Sequence, residues 1–286
     1  MKILDSVKKT VGSSNHIKAI DAHVHVDLAK EDIETNVKNF GVDPSFESLL
    51  SEMKKNNIER IVLISEEEEE NIELMNMKID HEKIFPIMYV DPFQSSSKEY
   101  MEVLEKRLKD GIFKGMKLFP GYEYFNPSEE KCVPIFKLAE KMKVPVMIHT
   151  GDTQGDPDLK PKVKYARPHY IDEVAVEFPN VKIIIAHAGN PWVHDAAEIA
   201  YKNHNVFLDV SGWFVGKLEK KSLGAMTHNL NFVLSFVAVD KVMYGSDWPL
   251  VQMADYMNFI KRTAKIDKTE LQKLMYKNAL KVFWNK

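Results

Sequence analysis

Two histidines separated by one residue, His23 and His25, are the first feature of the sequence that could carry chemistry. Residues two apart on a β-strand point to the same face, so both imidazoles could bind one metal ion. The spacing alone is weak evidence, because ten histidines give roughly a one-in-three chance of one such pair. The pair becomes informative only together with other segments of the same kind.

Four further segments place a lysine, a histidine or an aspartate at the end of an apolar run. They are Gly115-Met116-Lys117-Leu118, Ile148-His149-Thr150-Gly151, Ala186-His187-Ala188-Gly189 and Gly245-Ser246-Asp247-Trp248-Pro249. Imidazole nitrogens together with a carboxylate suit Zn2+ or another first-row divalent ion. Without cysteine ligands, such a set leaves coordination positions open, as a catalytic rather than a structural site requires. The sequence therefore predicts a catalytic metal site.

The elements that must position these side chains are eight apolar, β-branched runs separated by stretches with helical spacing. Continuous runs such as Ile183-Ile184-Ile185 are typical of parallel strands covered on both faces. The eight predicted strands are 18–25, 58–65, 84–90, 113–119, 144–149, 181–187, 206–211 and 242–247. Their ends recur about every thirty residues, the length of one βαβ unit. This pattern predicts an α/β fold, a single (β/α)8 TIM barrel, with a doubly wound open sheet as the lesser alternative.

The eight strand-helix units are predicted to form one domain, because no Pro/Gly/Ser-rich linker interrupts them. We expect a lead-in over residues 1–18 and the barrel over 19–286. A chain of 286 residues could also hold two ordinary domains, but eight strand-helix units use nearly all of it. In a barrel of this kind catalytic groups lie at the C-terminal ends of the strands, so the predicted metal site belongs at that mouth.

Composition excludes several classes of partner. The net charge is −3 and the pI is about 6.4, which offers no diffuse positive field for nucleic acid or anionic lipid. No stretch of about 18 apolar residues predicts a membrane span, and no apolar run of secretory-signal length follows Met1. The single cysteine, Cys132, fits a reducing compartment. We expect a cytoplasmic protein with a small-molecule substrate, and a homo-oligomer is compatible with the sequence.

The motifs resemble those of the amidohydrolase superfamily of metal-dependent (β/α)8 enzymes, specifically its amidohydrolase-2 branch. The resemblance runs from Ile20 to the final helix, where Lys277-Asn278-Ala279 and Phe283 look like the closing pattern of that branch. The other matching stretches are Gly115 to Pro120, His169-Tyr170 with Phe178-Pro179, and Ala186 to Gly189. The branch includes decarboxylases, lactonases and hydratases.

The resemblance implies a role for each residue at the strand ends. His23, His25 and His149 correspond to metal ligands, and Asp247 corresponds to both a ligand and the general base. His187 would bind a second ion in a binuclear member, or polarise substrate and shuttle protons in a mononuclear one. Lys117 stands where some binuclear members carry a carboxylated, bridging lysine. We favour one ion, with Zn2+ as the first choice, and two ions as the alternative.

The chemistry that follows is hydrolysis by a metal-activated water, since a divalent ion lowers the pKa of bound water toward ~7. Asp247 would accept the proton, and His187 could hydrogen-bond the developing oxyanion. We expect a hydrolase acting on a C–O or C–N bond of a small carboxylated or cyclic metabolite. A decarboxylase or hydratase using the same ligands is the alternative, and a metal-binding scaffold without turnover is a third hypothesis.

Residues around the predicted mouth give weaker indications. The proposed pocket residues are Tyr122, Trp192, Trp213, His169 and Arg167, with Tyr124 and Trp248 as further candidates. The loop from Asp152 to Pro168 is a candidate lid whose lysines and Arg167 would suit an anionic substrate. An unmodified Lys117 would pair with Asp247, Glu123 or a substrate carboxylate. The run Glu66 to Glu70 is interpreted as a solvated helix start.

Overall fold

Eight parallel strands alternate with helices in the order that the sequence predicts. The computed structural model describes residues 17–28, 33–153 and 160–285, so most of the predicted lead-in lies outside the described residues. The strands are β1 (Ala19–Val24), β2 (Ile58–Ile64), β3 (Ile84–Tyr89), β4 (Gly115–Leu118), β5 (Val146–Ile148), β6 (Ile183–Ile185), β7 (Val206–Asp209) and β8 (Val242–Met243). Each lies inside its predicted run, and the polar residues that end most of the runs fall just beyond the strands.

Helices lie between the strands and after the last one. They are α1 (Ile33–Phe40), α2 (Phe46–Lys55), α3 (Glu68–Asn76), α4 (Lys98–Lys109), α5 (Val133–Met142), α6 (Tyr170–Glu177), α7 (Val193–Lys202), α8 (Lys220–Phe236), α9 (Met253–Thr263) and α10 (Lys268–Gln272). Over the described ranges, none is both long and apolar enough to cross a membrane.

The sheet has the strand order β1 to β8 and closes on itself. Each strand pairs in parallel with the next, for example Met147 of β5 with Lys117 of β4. Closure is made by the amide of Ala22, which donates to the carbonyl of Tyr244 at 3.0 Å, and by the amide of His25, which donates to the carbonyl of Trp248 at 2.7 Å. The fold is therefore a (β/α)8 barrel, and the open-sheet alternative is wrong.

Two apolar layers hold the barrel together. The larger layer lies between strands and helices, and the smaller one fills the barrel interior with residues such as Ile20, Ile64 and Ile184. The end away from the strand carboxyl ends is closed by the chain after α10, where the ring of Phe283 lies 5.1 Å from that of Phe85. The opposite end, at the carboxyl ends of the strands, is lined largely by polar side chains.

A register shift in β1 turns its histidines toward that open end. The pairing of β1 with β2 slips between Asp21 and Val24. Before the shift Ile20 and Ala22 pack into the barrel interior, whereas beyond it His23 and His25 line the cavity at the mouth. Irregularities of this kind commonly redirect side chains beside active sites.

Candidate metal centre and active site

A cavity of about 810 Å³ opens at the carboxyl ends of the strands. Every residue that the sequence analysis assigned to metal binding or catalysis lines it. These residues are His23 of β1, His25 directly after β1, Lys117 of β4, His149 after β5, His187 after β6 and Asp247 after β8. Each of the six residues exposes at most 7% of its surface to solvent, so the structure gathers the predicted set into one buried cluster.

Asp247 is the centre of this cluster. Its Oδ1 lies 3.5 Å from Nε2 of His23 and 3.5 Å from Nε2 of His25. In a tetrahedral zinc site with bonds of about 2.0–2.2 Å, two ligand atoms lie about 3.4 Å apart. One potential ligand atom from each of the three residues lies within 4.8 Å of the others. The donor set and the spacing both fit one divalent ion held by His23, His25 and Asp247.

His149 stands slightly apart from those three. Its Nε2 is buried and has no hydrogen-bond partner among the described residues. Burial, reinforced by the nearby His187 and Lys117, holds the pKa of His149 well below its ordinary value, so the ring is neutral. A buried imidazole nitrogen without a partner is costly unless something binds it. This orphaned nitrogen fits the role of a further ligand, which stays a prediction.

The backbone at Asp247 and His187 is unusual. Both residues have positive φ angles, 67° and 58° respectively, in the left-handed region that residues other than glycine rarely adopt. The amide of Asp247 donates to the carbonyl of His23 at 2.9 Å, which ties β8 to β1 at the site. Such conformations concentrate at functional sites, where the surrounding structure maintains them.

Lys117 is fully buried beside the three ligand candidates. Its Nζ lies 3.3 Å from Nε2 of His23 and 5.0 Å from the ring centre of Phe119. Burial lowers the pKa of Lys117 to about 8, against the raising effect of the Asp209 and Asp247 carboxylates. Glu123, one of the three partners predicted for an unmodified Lys117, accepts a hydrogen bond from the hydroxyl of Tyr89.

Asp209, the last residue of β7, belongs to the site although the sequence analysis did not single it out. Its Oδ2 accepts a hydrogen bond from Nδ1 of His23 at 3.1 Å, and its Oδ1 accepts from the amides of His187 and Ser211, both at 3.1 Å. The hydroxyl of Ser211 also donates to Oδ1. Burial alone would raise the pKa of Asp209, but His23 and His187 hold it well below the usual range.

A second candidate ligand group, formed by His23, His187 and Asp209, shares one residue with the first. The hydrogen bonds just described already occupy both oxygens of Asp209. A carboxylate that accepts from the Nδ1 of a ligating histidine orients the ring and fixes its tautomer. We therefore interpret Asp209 as a supporting residue for His23 rather than as a ligand.

Gly212 allows the approach of Asp247 and His187. Its φ is +66°, and a Cβ atom added there would lie 2.6 Å from Oδ2 of Asp247 and 2.7 Å from Nδ1 of His187. Both separations are shorter than real Cβ contacts, so a side chain at this position would displace both groups. The residue after Ser211 must be glycine for the site to have this shape.

Two of the five predicted pocket residues line the cavity. Tyr122 packs against His149 with ring centres 5.0 Å apart, and Nε1 of Trp213 donates to the carbonyl of His187 at 2.7 Å. The further candidate Trp248 is fully buried in the apolar layer outside the strands, and Tyr124 is an exposed residue whose hydroxyl donates to the carbonyl of Lys160 at 2.6 Å.

The other three predicted pocket residues lie away from the cavity lining. Arg167 is exposed and places its guanidinium 4.8 Å from the ring centre of Trp192. His169 is an exposed residue directly before α6, with its ring 3.9 Å from that of Tyr170. Arg167 and Trp192 thus pack against each other and His169 packs on α6, so the described structure does not bring these three residues into the cavity lining.

The predicted lid is described only in part, since residues 154–159 lie outside the described ranges. In its second half, Nζ of Lys162 lies 3.8 Å from the ring centre of Tyr124, and Nζ of Lys164 lies 4.4 Å from that of Tyr165. These ammonium groups contact aromatic rings and do not line the cavity. The described lysines of this loop are therefore not placed to contact a substrate inside the cavity.

An acidic wall, composed of Glu66, Glu67, Glu69, Glu70 and Glu73, lines one side of the cavity. The interpretation of the glutamate run as a solvated helix start was incomplete, because the start of α3 faces the mouth. Oε1 of Glu66 lies 3.6 Å from Nδ1 of His25. Burial and the nearby charge of Glu66 raise the pKa of Glu70 to about 8, while its Oε2 accepts from the amide of Glu66 at 2.7 Å.

The sequence matches the family described as Amidohydrolase over residues 20–284. The chain belongs to the amidohydrolase family. The match covers β1 from Ile20 onward, all of β2 to β8, and every residue of the candidate centre. A comparison with curated proteins finds no match for this amidohydrolase.

Solved structures share the fold of this amidohydrolase at low sequence identity. A 5-carboxyvanillate decarboxylase from Sphingomonas paucimobilis aligns with a TM-score of 0.68 at 14% identity, covering 94% of this chain and 99% of that one. A probable 2-pyrone-4,6-dicarboxylic acid hydrolase from Acinetobacter baumannii has a TM-score of 0.68 at 17% identity, with 93% and 99% covered. An amidohydrolase from Burkholderia multivorans with bound zinc has a TM-score of 0.70 at 15% identity, again with 93% and 99% covered.

The family is metal-dependent, and the centre of this amidohydrolase has the donor chemistry that such a family needs. Three imidazoles and one carboxylate converge on a cavity large enough for a small molecule. The likeness to the solved structures establishes the fold.

Proposed function

We propose that this amidohydrolase is a metal-dependent hydrolase that cleaves a C–O or C–N bond of a small substrate. The observation that carries the proposal is the position of Asp247 Oδ1, at 3.5 Å from Nε2 of both His23 and His25, in the wall of the cavity. A divalent ion held by these residues and His149 would supply a water whose pKa is lowered toward neutrality. We propose one ion, with Zn2+ first, which is supported by the ligand types and by the zinc in the Burkholderia multivorans structure.

Asp247 is the proposed general base. Burial raises the pKa of its carboxyl group, but His187, His25 and His23 together hold it well below its usual value, so the group is ionised at neutral pH. An ionised carboxylate facing the cavity can accept the proton of the attacking water and return it to the leaving group. His187 faces the same cavity and is the second group placed to move a proton there.

The electrostatics of the cavity indicate the kind of substrate. Lys117 is the one lysine or arginine that lines it among the described residues, whereas the acidic wall contributes five carboxyl groups. We propose a substrate whose carboxylate or carbonyl oxygen points toward Lys117 and the histidines, and whose remaining part is uncharged or positive near the wall. A substrate with several separated carboxylates would be repelled by the glutamates.

A lyase is the second candidate. The solved 5-carboxyvanillate decarboxylase and 2,6-dihydroxybenzoate decarboxylase share the fold over most of both chains. The buried ammonium group of Lys117 offers a partner for a substrate carboxylate beside the ligands. In that reaction Asp247 or His187 would deliver a proton to carbon after CO2 is lost.

A substrate screen with two readouts separates the candidates. Lactones, amides and aromatic or unsaturated carboxylic acids are incubated with the enzyme in 18O-labelled water, and products are identified by mass spectrometry. Hydrolysis places one labelled oxygen in the product, whereas decarboxylation releases CO2 and leaves none. Asp247→Asn should lower turnover by about 10²–10⁴-fold, and Asp172→Asn, a surface change at a carboxylate that pairs with Lys202, is the matched control. Full turnover by Asp247→Asn would remove its role as base.

A further inference from the structure

We propose that Ser211 is a positioning residue that keeps neutral His187 in the tautomer with its proton on Nδ1. Nε2 of His187 is then a bare acceptor toward the cavity. The placement of protons rests on hydrogen bonds of the chain alone, and only its catalytic meaning rests on the proposed function. Four buried residues form this hydrogen-bonded group: His23, His187, Asp209 and Ser211.

The direction of each hydrogen bond starts from Asp209. Its Oδ1 accepts from the backbone amides of His187 and Ser211, both at 3.1 Å, and a backbone N–H can only donate. An oxygen that accepts two such bonds acts as the unprotonated oxygen of its carboxyl group, so it has no hydrogen to give to the serine. The hydroxyl of Ser211 therefore donates its hydrogen to Oδ1 of Asp209.

The bond to His187 follows from the single hydrogen of a hydroxyl group. Because that hydrogen is directed to Asp209, Oγ of Ser211 can only accept from Nδ1 of His187, which lies 2.9 Å away. Nδ1 must then carry a proton. In a neutral imidazole the other nitrogen, Nε2, carries none.

The same carboxylate sets the tautomer of His23 through a direct bond. Nδ1 of His23 donates to Oδ2 of Asp209 at 3.1 Å, so Nε2 of His23 is bare and faces Asp247. One buried carboxylate thus orders two imidazoles, His23 directly and His187 through Ser211. Ser211 connects Asp209 to His187, and it is not among the residues predicted from the sequence.

The tautomer changes the role expected of His187. A bare Nε2 can take a proton or bind an ion, but it cannot donate a hydrogen bond to an oxyanion until the ring is protonated. In the neutral enzyme His187 would therefore act as an acceptor. It would act as a donor only after it has received a proton within the reaction cycle.

Long-range 1H–15N NMR of the full chain labelled with 15N-histidine tests the tautomer directly. Spectra are recorded near pH 8 on the protein as purified and after dialysis against a chelator, and His187→Gln identifies the signals of His187. We expect one tautomer, with a protonated Nδ1 and a bare Nε2, in both samples. If this tautomer of His187 is retained after chelation, Ser211 and not a bound ion selects it.

Ser211→Ala should convert this pattern into a mixture of tautomers, since Nδ1 loses its acceptor. The matched control is Ser246→Ala, which removes a buried serine that accepts from the amide of Trp248 and bonds to the buried Asp21, at the end of a different strand. A protonated Nε2 in the native chain, or an unchanged pattern in Ser211→Ala, would overturn the proposal. If Ser211→Ala does not fold, the spectrum of the native chain still shows which nitrogen of His187 carries the proton. A lack of turnover on every substrate would count against the proposed function and leave this readout intact.

Discussion

Nδ1 of His23 donates a hydrogen bond to Oδ2 of Asp209 over 3.1 Å, and both side chains are almost completely buried. The bond connects the end of β1 to the end of β7 across the barrel mouth. It leaves Nε2 of His23 without a proton on the side of Asp247 and His25. The proposed metal centre would therefore depend on a residue that is not one of its proposed ligands.

Asp209→Asn should weaken metal binding by about 10–100-fold, the usual effect of removing a carboxylate that supports a ligating histidine. The amide keeps the size of the side chain but removes the charge that favours the correct tautomer. Competition with a chromophoric chelator measures the affinity. Asp172→Asn, at a surface carboxylate 2.6 Å from Nζ of Lys202, is the control and should bind metal normally. Equal affinities in the two variants would refute the supporting role.

Gly212→Ala should disturb the candidate metal centre, although the substitution adds only one methyl group. The new methyl group would collide with Asp247 and His187, and the left-handed backbone adds a cost of about 1–3 kcal/mol. Gly111→Ala is the matched control, because Gly111 has a φ of +73° and would place its Cβ in open space. Thermal unfolding should show a loss of stability in both variants, and metal titration should show a loss of binding only in Gly212→Ala. Normal binding by Gly212→Ala would contradict the geometry.

Glu70→Gln should make the protein less sensitive to alkaline pH. The pKa of Glu70 is raised from 4.5 to about 8, chiefly by burial, so the folded state holds this proton more tightly than the unfolded state. Its contribution to stability is complete below about pH 4.5 and is lost as pH rises to about 8. One pKa unit corresponds to about 1.4 kcal/mol, so the gain at pH 9 is of the order of a few kcal/mol.

Denaturant unfolding at pH 5, 7 and 9 measures that difference for Glu70→Gln. Glu69→Gln, at an exposed position of the same helix α3, is the control. The glutamine at position 70 can still accept from the amide of Glu66, so the local hydrogen bond is kept. Parallel pH profiles for the native chain and Glu70→Gln would show that Glu70 is ionised at neutral pH.

Metal removal should lower the melting temperature of the native chain. A ligand at a hundred times its Kd stabilises the folded state by about 2.7 kcal/mol. Chelation should therefore cost several degrees, and His25→Ala should lose most of this response. His204→Ala, which removes an exposed histidine outside the cavity, should respond like the native chain. Identical responses of all three proteins would argue against a metal centre at His25.

The strand pattern was predictable because buried parallel strands are apolar without interruption, as Ile183–Ile185 illustrates. The ligand candidates were predictable because their side chains follow those strands. Asp209 could have been found by the same reasoning, since it is the last residue of β7. Its role was hidden because a supporting carboxylate has no spacing signature along the sequence.

Pocket walls were harder to predict than ligands. The run of glutamates is typical of a charged helix start, whereas in the structure Glu66 and Glu70 line the cavity. Arg167 and Trp192 follow strands too, but they pack against one another outside the cavity. Which side of a loop faces the mouth depends on contacts between distant loops, and the sequence does not contain that information in any local pattern.

An anomalous-scattering map of a crystal of the full chain, recorded on both sides of the zinc absorption edge, tests whether His23, His25 and Asp247 hold one metal ion. We expect one peak at the barrel mouth, within bonding distance of Nε2 of His23, Nε2 of His25 and a carboxylate oxygen of Asp247. A peak in the same place at the manganese or iron edge would identify a different ion in the same centre. A crystal soaked in zinc that shows no peak between these three residues would refute the proposed metal centre.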